Sequence, residues 1–328
     1  MKRFTATMPV LLIVLLAFAT SAATQPAPRV ARVGMLCTPS CTGGSWDALV
    51  DELRKLGWSE GTTMVIERKE TGPRLDELPA LAADLVRSKP DLIVAFTPQP
   101  VRAAKNATSE IPIVMIFVAD PVGVGLVSSL ARPDGNLTGV TTVVPGGFVG
   151  KTLAILRDLL PQAKRVTALT NPSTDTARRL LPMEGIPAAA TLGFQLDVID
   201  VRETGEIPGA IATAKARGAD ALLIVGDPIF ALPPNRVPDL AAQAAVPTIY
   251  LTRAQVQAGG LISHGPDSPA IARRGAHYVD RILKGAKPTD LPIEQPSKFL
   301  LSINLKTAKS LGIEVPPSLL ARADEVIE

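Results

Sequence analysis

Between residues 30 and 118 the sequence alternates four short apolar runs with segments that have the pattern of an amphipathic helix. The apolar runs cover residues 30–36, 64–67, 91–96 and 113–118. The helical segments cover residues 45–56 and 75–87 and a third stretch that begins at Thr97-Pro98. Strands that alternate with helices form a parallel sheet covered by helices on both faces. The pattern therefore predicts an α/β fold.

The alternation resumes after residue 147 and predicts a second sheet. The predicted strands cover residues 165–169, 195–201, 221–225, 248–251 and 260–263, and the predicted helices 148–160, 175–192, 207–217, 234–245, 254–257 and 269–283. Asp120-Pro121 and Asp227-Pro228 each follow an apolar strand, at similar places in the two series. We therefore predict two doubly wound parallel-sheet lobes joined by a hinge, with a crossing near Pro145-Gly146-Gly147.

The segment between the two series is rich in turn-forming residues. Gly123 and Gly125 follow Asp120-Pro121, and residues 133–136 read Pro-Asp-Gly-Asn, which is a strong turn signal. Between these turns, residues 126–131 are predicted to form one or two turns of helix. Residues 139–141 are predicted to form a short strand.

The first 23 residues have the pattern of a cleavable signal peptide. Lys2 and Arg3 precede an apolar segment at residues 10–18, which is too short to span a bilayer stably, and Ser21-Ala22-Ala23 offers small residues for cleavage. We expect a periplasmic protein, with a retained N-terminal anchor as the alternative. Without these residues the chain has 32 basic and 31 acidic side chains, a balance that indicates no nucleic-acid partner.

Cys37 and Cys41 are the only cysteines of the chain. In an oxidising compartment they could form a local disulfide. Two free thiols in a turn are an equal alternative, because the sequence does not fix the distance between the two Cα atoms. No histidine lies nearby in the sequence to complete a set of metal ligands, so we expect neither a metal nor a cofactor.

Several segments carry a family resemblance. They are Asp120-Pro121-Val122-Gly123, Gly125-Leu126-Val127, residues 132–139, residues 259–267 and residues 303–312. On these residues the chain resembles the ABC-transporter substrate-binding proteins of the tryptophan- and tyrosine-binding group, which have the type 1 periplasmic-binding-protein fold. The resemblance extends from about residue 30 to the end of the chain.

The resemblance implies a lobe division, a ligand and a partner. Helix 269–283 is expected to return to the first lobe, so that residues 30–142 and 266–290 form the first lobe, and residues 143–265 and 291–328 the second. The implied partners are a small amino-acid-like or carboxylate ligand, with aromatic amino acids favoured, and an ABC permease in the inner membrane. We expect the protein to act as a monomer.

The expected site is a cleft between the lobes, lined by loops at the carboxyl ends of strands. The helices that begin at Ser45 and Thr97 could hold a carboxylate at their N-termini, although both residues could serve only as helix caps. Asp120 and Asp227 could accept hydrogen bonds from an ammonium group or from hydroxyls, or could simply shape turns. Arg253 could clamp a carboxylate, or could be a solvated surface residue.

The remaining candidates lie near the same predicted loops. Trp46 and Phe148 could stack on a flat ligand or belong to the core. Asn171 precedes a proline and could equally be a turn residue. His264 stands where related proteins often have Tyr. Together with Pro98 and Ser263, these residues complete the predicted ligand-binding set.

No catalytic motif accompanies these residues. Residues 37–44 do not read G-x-G-x-x-G, and neither a P-loop nor a G-x-S-x-G motif is present. Nothing in the sequence arranges His264 or His277 beside a nucleophile. We therefore predict a solute-binding component of an ABC importer. The alternatives are a sensory ligand-binding module for a signalling partner and a two-lobed α/β enzyme such as a racemase or hydrolase.

Overall fold

The computed structural model describes residues 30–72, 74–142, 147–174 and 176–328. The predicted signal peptide at residues 1–23 and the predicted crossing at Pro145-Gly146 lie outside these ranges. The described residues form two separate sheets, each with helices on both faces. This arrangement confirms the predicted two-lobed α/β fold.

The first sheet has five strands in the order β2-β1-β3-β4-β5, and every pair is parallel. The strands are β1 Ala31–Cys37, β2 Met64–Glu70, β3 Leu92–Phe96, β4 Ile113–Val118 and β5 Leu137–Thr141. Helices α1 Gly44–Lys55, α2 Leu78–Arg87 and α3 Pro98–Ala107 connect the first four strands, with a 3₁₀ turn at Leu75–Glu77 before α2. The four apolar runs of the sequence therefore become the strands β1 to β4, as predicted.

The second sheet has seven strands in the order β12-β11-β10-β9-β8-β6-β7. They are β6 Arg165–Thr170, β7 Gln195–Asp200, β8 Ala221–Ile224, β9 Thr248–Tyr250, β10 Ile262–Pro266, β11 Phe299–Asn304 and β12 Glu325–Ile327. The helices from residue 148 onward are α4 Phe148–Leu159, a π-helix at Thr176–Gly185, α5 Ile186–Thr191, α6 Ile207–Ala216, α7 Pro228–Ala231, α8 Arg236–Ala244, α9 Arg253–Gln257, α10 Ser268–Leu283, α11 Leu305–Ser310 and α12 Pro317–Leu320. Two further 3₁₀ turns lie at Thr204–Glu206 and Pro288–Asp290.

Strands β11 and β12 and helices α11 and α12 were not predicted from the sequence. Strand β11 pairs antiparallel with β10, and β12 adds a parallel edge strand next to β11. A mostly parallel sheet with an antiparallel pair near one edge is a common form of α/β lobe. Because β11 runs back along β10, its first residue, Phe299, lies opposite Pro266 at the carboxyl end of β10.

Helix α10 returns to the first sheet, where it packs against α1 and β4. Gly275 permits this close approach, because a Cβ atom there would overlap the side chain of Ile116. One face of the first sheet is thus covered by α1 and α10, and the other by α2 and α3. The apolar stripe of α10 supplies the buried residues Ile271, Tyr278 and Val279.

Residues 291–294 also pack on the first sheet, although the expected division assigned them to the second lobe. The Thr138 hydroxyl donates to the Leu291 carbonyl. The backbone N–H of Ile293 donates to Leu130, and that of Glu294 donates to Gly139. We therefore propose that the lobe boundary lies after residue 294 and not at residue 291.

The predicted helix at residues 126–131 is wrong. The chain there forms consecutive turns in which Val124 donates to Asp120 and Leu126 donates to Pro121. Gly125 has a φ of 71°, and the Lys105 ammonium donates to the carbonyl of Leu126. These interactions occupy backbone groups that a helix would use. Leu126 and Val127 are buried in the core, but as parts of a turn.

Candidate functional site

A small cavity lies where the carboxyl ends of the first sheet meet the second lobe. It is lined by Pro98 and Asp120 from the first lobe and by Arg179 and Leu180 from the π-helix of the second, together with Val118, Ala119 and Val124. Its volume is about 10 Å³, which is about the space that one water molecule needs. Of the residues predicted for the site, Pro98 and Asp120 are therefore brought together here.

Asp120 joins the two lobes. Its Oδ1 accepts the backbone N–H of Gly123 at 2.9 Å, and its Oδ2 lies 3.6 Å from Nη2 of Arg179. A Cβ atom on Gly123 would overlap both the Asp120 carboxylate and the Arg179 guanidinium. The glycine of the sequence Asp-Pro-Val-Gly is therefore needed for the two charged groups to approach each other.

Thr97 occupies the N-cap position of α3, but its side chain does not cap the helix. Among the described residues, its buried Oγ1 has no hydrogen-bond partner. The backbone of Thr97 has a φ of 69°, a value that is strained for a β-branched residue. The first turn of α3 contains Pro98 and Pro100, which carry no N–H, so the hydroxyl is a more available donor than the helix end itself.

Ser45 is not the cap of α1. The helix begins at Gly44, and its N-cap is Gly43, which has a φ of 82°. The backbone N–H of Gly43 donates to the Asp47 side chain at 3.2 Å. Ser45 thus lies inside the first turn, because two consecutive glycines start the helix one residue earlier than predicted. Its predicted ligand contact stays a prediction.

Trp46 packs in an aromatic cluster beside this helix end. Its ring stacks on that of Phe96 with centroids 3.6 Å apart, and Phe117 meets Phe96 edge-on at 5.2 Å. Trp46 and Phe96 are buried, and Phe117 is half-buried at a bulge in β4 with a φ of 63°. The cluster fixes the carboxyl ends of β3 and β4, which carry Thr97 and Asp120.

Asn171 and Asp227 come together at the carboxyl ends of β6 and β8. Nδ2 of Asn171 lies 3.4 Å from Oδ2 of Asp227, and Oδ1 of Asp227 accepts the backbone N–H of Ile229 at 2.9 Å. Burial raises the pKa of the Asp227 carboxyl above its usual value, and these two hydrogen bonds oppose the shift only in part. No cationic side chain of the described chain forms an ion pair with Asp227, so its charged form lacks a counter-ion.

Phe148 and His264 lie together in the core of the second lobe. The imidazole packs on Phe148 at 5.5 Å and on Phe299 at 5.8 Å between ring centroids, and Nδ1 hydrogen-bonds with the Thr152 hydroxyl at 2.9 Å. Burial lowers the pKa of His264 to about 4, so the ring is neutral at pH 7. The geometry gives both residues a packing role near the lobe crossings, and a ligand contact for them stays a prediction.

Ser263 and Arg253 are not among the residues around the cavity. Ser263 is buried in β10 between Tyr250 of β9 and Ser302 of β11, and its Oγ has no partner among the described residues. Arg253 is about half exposed, and its Nε lies 3.6 Å from the Glu325 carboxylate of edge strand β12. The guanidinium therefore packs along the outer edge of the sheet, which favours the surface interpretation.

Cys37 and Cys41 form a disulfide, with Cα atoms 5.2 Å apart. The bridge closes the loop between β1 and α1, and the backbone N–H of Cys41 donates to the Glu70 carboxylate at 2.8 Å. Among the described residues no group of His, Cys, Asp and Glu side chains could hold a metal ion.

A family model described as "ABC transporter substrate binding protein" matches residues 42–327. The chain belongs to this family. It is therefore a substrate-binding protein of the ABC-transporter type and not an enzyme. In the part of the chain that the structure describes, no helix combines the length and the apolar character that crossing a membrane requires.

Three relatives are similar to this substrate-binding protein along most of their length. The tyrosine-binding protein of Clostridioides difficile is 25% identical over 266 residues, which are 81% of this chain and 75% of the relative. A Streptococcus pneumoniae domain crystallised with L-Trp is 26% identical with a TM-score of 0.82, and a Vibrio cholerae conserved domain protein is 27% identical with a TM-score of 0.83. Each of these two alignments covers 91% of this chain and 100% of the solved one.

Sequence reasoning about this substrate-binding protein missed Arg179 and Phe96. Phe96 immediately precedes Thr97 at the end of a predicted strand, so an aromatic at that position was a usable signal. For Arg179 the signal was weaker. Pro182 and Gly185 lie within the predicted helix at residues 175–192 and interrupt its pattern, and π-helical distortions are frequent at functional sites.

Proposed function

We propose that this substrate-binding protein binds a zwitterionic amino acid with an aromatic side chain between its lobes and delivers it to an ABC permease in the membrane. The observation that carries the proposal is Asp227, a half-buried carboxylate whose pKa is raised by desolvation and which has no counter-ion among the described residues. An ammonium group placed next to it would supply the missing charge. Such a charge-assisted hydrogen bond is stronger than a neutral one.

The first lobe supplies complementary groups. The unpartnered hydroxyl of Thr97 can donate to a carboxylate, and Asp120 faces Arg179 of the second lobe. Trp46, Phe96 and Phe117 form an aromatic cluster close to these strand ends, in which Phe117 is half-buried and the other two rings are buried. The relatives named for tyrosine and crystallised with L-Trp support the choice of aromatic amino acids.

Binding requires the lobes to separate from the arrangement seen here. A cavity of about 10 Å³ cannot hold an amino acid, since ligand pockets for small molecules are typically some 300 Å³ or more. Within the described ranges, the connections between the two lobes lie at residues 266–268 and 294–299. These short connections suit a hinge, and closure about a hinge is a standard way to bury a ligand.

The location and the partners of the protein belong to the same proposal. A signal peptide at residues 1–23 would direct the chain to the periplasm, where it would act as a monomer and meet the permease of an importer. The family match supports an extracytoplasmic role.

Calorimetric titration of the purified mature chain with L-tryptophan, L-tyrosine and a panel of other amino acids tests the proposal. We expect a saturable 1:1 complex with at least one aromatic amino acid. Asp227→Ala should weaken that complex more than tenfold, since removing one partner of a buried charged pair costs several kcal/mol. Asp158→Asn is the matched control, because Asp158 is an exposed carboxylate that pairs with Arg322. An unchanged Kd in Asp227→Ala would show that Asp227 does not contact the ligand.

A further inference from the structure

The guanidinium of Arg179 has a buried hydrogen-bond donor without an acceptor. Nε of this residue has no partner within the described part of the chain, although the side chain as a whole is 40% exposed. A buried donor that stays unpaired costs free energy comparable to a lost hydrogen bond. The residue lies on the π-helix, whose position next to the cavity is held by the packing of Leu180 in the core of the second lobe.

The pairing with Asp120 leaves this donor free. The nearest approach of the two charged groups, 3.6 Å between Nη2 and Oδ2, is longer than a hydrogen bond. The other oxygen of Asp120 is already engaged by the backbone N–H of Gly123. The carboxylate therefore sets the position of the guanidinium by charge attraction without occupying its Nε–H.

A second unpartnered donor belongs to the first lobe, next to a residue that lines the cavity. Thr97, which directly precedes the cavity-lining Pro98, also has a buried hydroxyl without an acceptor among the described residues. Two donors that belong to different lobes and lack acceptors are complementary to an anionic group such as a carboxylate. Arg179 can receive such a group with two N–H donors, in the side-on geometry that guanidinium groups favour.

We propose that Arg179 binds the carboxylate of the ligand and thereby selects amino acids over amines that lack this group. The inference rests on the proposed function. With only Asp120 and Asp227 facing the ligand, the site would suit an amine or a diamine. Arg179 adds the positive charge that a zwitterion requires, and Asp120 acts as a positioning residue that orients the guanidinium.

The test compares a free amino acid with its carboxamide. L-tryptophan and L-tryptophanamide, or the tyrosine pair if tyrosine binds more tightly, share the ring and the ammonium group and differ in the charge of the carboxyl group. We expect wild-type protein to bind the free acid at least tenfold more tightly than the amide. In Arg179→Gln, the affinity for the acid should fall at least tenfold while the affinity for the amide changes less than threefold. Arg178→Gln, the same charge change at the neighbouring exposed position, should leave both affinities near wild type.

The alternative outcomes are distinct. An equal loss for both ligands would mean that Arg179 supports lobe closure only, and tighter binding of both would mean that it competes with the ligand for Asp120. Either result overturns the inference and leaves amino-acid binding intact. If wild-type protein binds neither aromatic amino acid nor its amide, the proposed function fails, and the role of Arg179 fails with it.

Discussion

Oδ2 of Asp120 in the first lobe lies 3.6 Å from Nη2 of Arg179 in the second, and Gly123 leaves the space in which the two groups meet. The pair couples the turn after β4 to the π-helix. The position of each side chain at the cleft therefore depends on how the lobes sit against each other, a relationship that no local sequence pattern encodes.

Gly123→Ala should displace this pair. The added Cβ would overlap the Asp120 carboxylate, and overpacking of this kind typically costs about 1–3 kcal/mol. We expect the free energy of unfolding in urea to fall by about that amount, and affinity for the ligand to fall with it. Gly209→Ala is the control: Gly209 lies in α6 with open space around its Cβ position, so alanine should be neutral or stabilise by up to about 1 kcal/mol. If the two variants are equally stable, a Cβ atom at position 123 does not crowd the Asp120 carboxylate.

Asp227→Asn should stabilise the ligand-free protein while it weakens ligand binding. Burial raises the pKa of Asp227 in the folded state, so the stability this group contributes is complete below its unfolded pKa and is lost as pH rises through the folded pKa. At pH 7 the asparagine removes a desolvated charge, so the free energy of unfolding of the ligand-free protein should rise.

Urea unfolding of wild-type protein and Asp227→Asn, each between pH 3 and pH 7, measures this effect. The difference between the two curves should grow with pH and then level off above the folded pKa of Asp227. A variant that is less stable than wild type at pH 7 would show that the hydrogen bonds accepted by the two Asp227 oxygens outweigh the cost of the desolvated charge.

His264 should make the protein sensitive to mild acid. Its pKa is lowered from 6.5 to about 4 by burial, so the stability that it contributes is present above pH 6.5 and is lost as pH falls towards 4. The full loss amounts to about 3 kcal/mol. His264→Gln can keep a hydrogen bond to Thr152 but removes the imidazole. Between pH 6.5 and 4, its free energy of unfolding should therefore fall less than that of wild type.

His277→Gln provides the comparison, because His277 is the only other histidine. Its imidazole is 40% exposed and lies 3.6 Å from the Glu52 carboxylate. This variant should retain the decline between pH 6.5 and 4. Parallel pH profiles for His264→Gln and wild type would show that the His264 ring is protonated in the folded protein as easily as in the unfolded chain.

The Cys37–Cys41 disulfide should stabilise the fold through the unfolded state. For a closed loop of five residues, chain-entropy arguments give about 2 kcal/mol. The double variant Cys37→Ala, Cys41→Ala should lose about that much in urea unfolding, and reductant should have no further effect on it. Wild-type protein unfolded in the presence of reductant should approach the variant. If the variant is as stable as oxidised wild type, the disulfide does not contribute to the stability of this lobe.

The sequence by itself determined the α/β class, most strand positions and the residues that end them. Apolar runs such as residues 113–118 match the strand Ile113–Val118 because a strand buried on both faces needs an apolar side chain at every position. Asp120, Asn171 and Asp227 were found as candidates for the same reason, since polar residues after buried strands stand at the carboxyl edge of the sheet.

Only the tertiary structure decided which of these residues meet. Strand β11 needs β10 as its antiparallel partner, and the turn at residues 121–127 needs Lys105 from α3, so neither could be predicted from local pattern. Arg253 could be a carboxylate clamp or a surface residue by its sequence position, and only the structure shows that its guanidinium lies next to Glu325 at the outer edge of the sheet. Arg179 reaches Asp120 across the lobes only because a π-helix presents it there. Contacts between residues far apart in the chain depend on the packing of whole elements, which single-residue propensities do not contain.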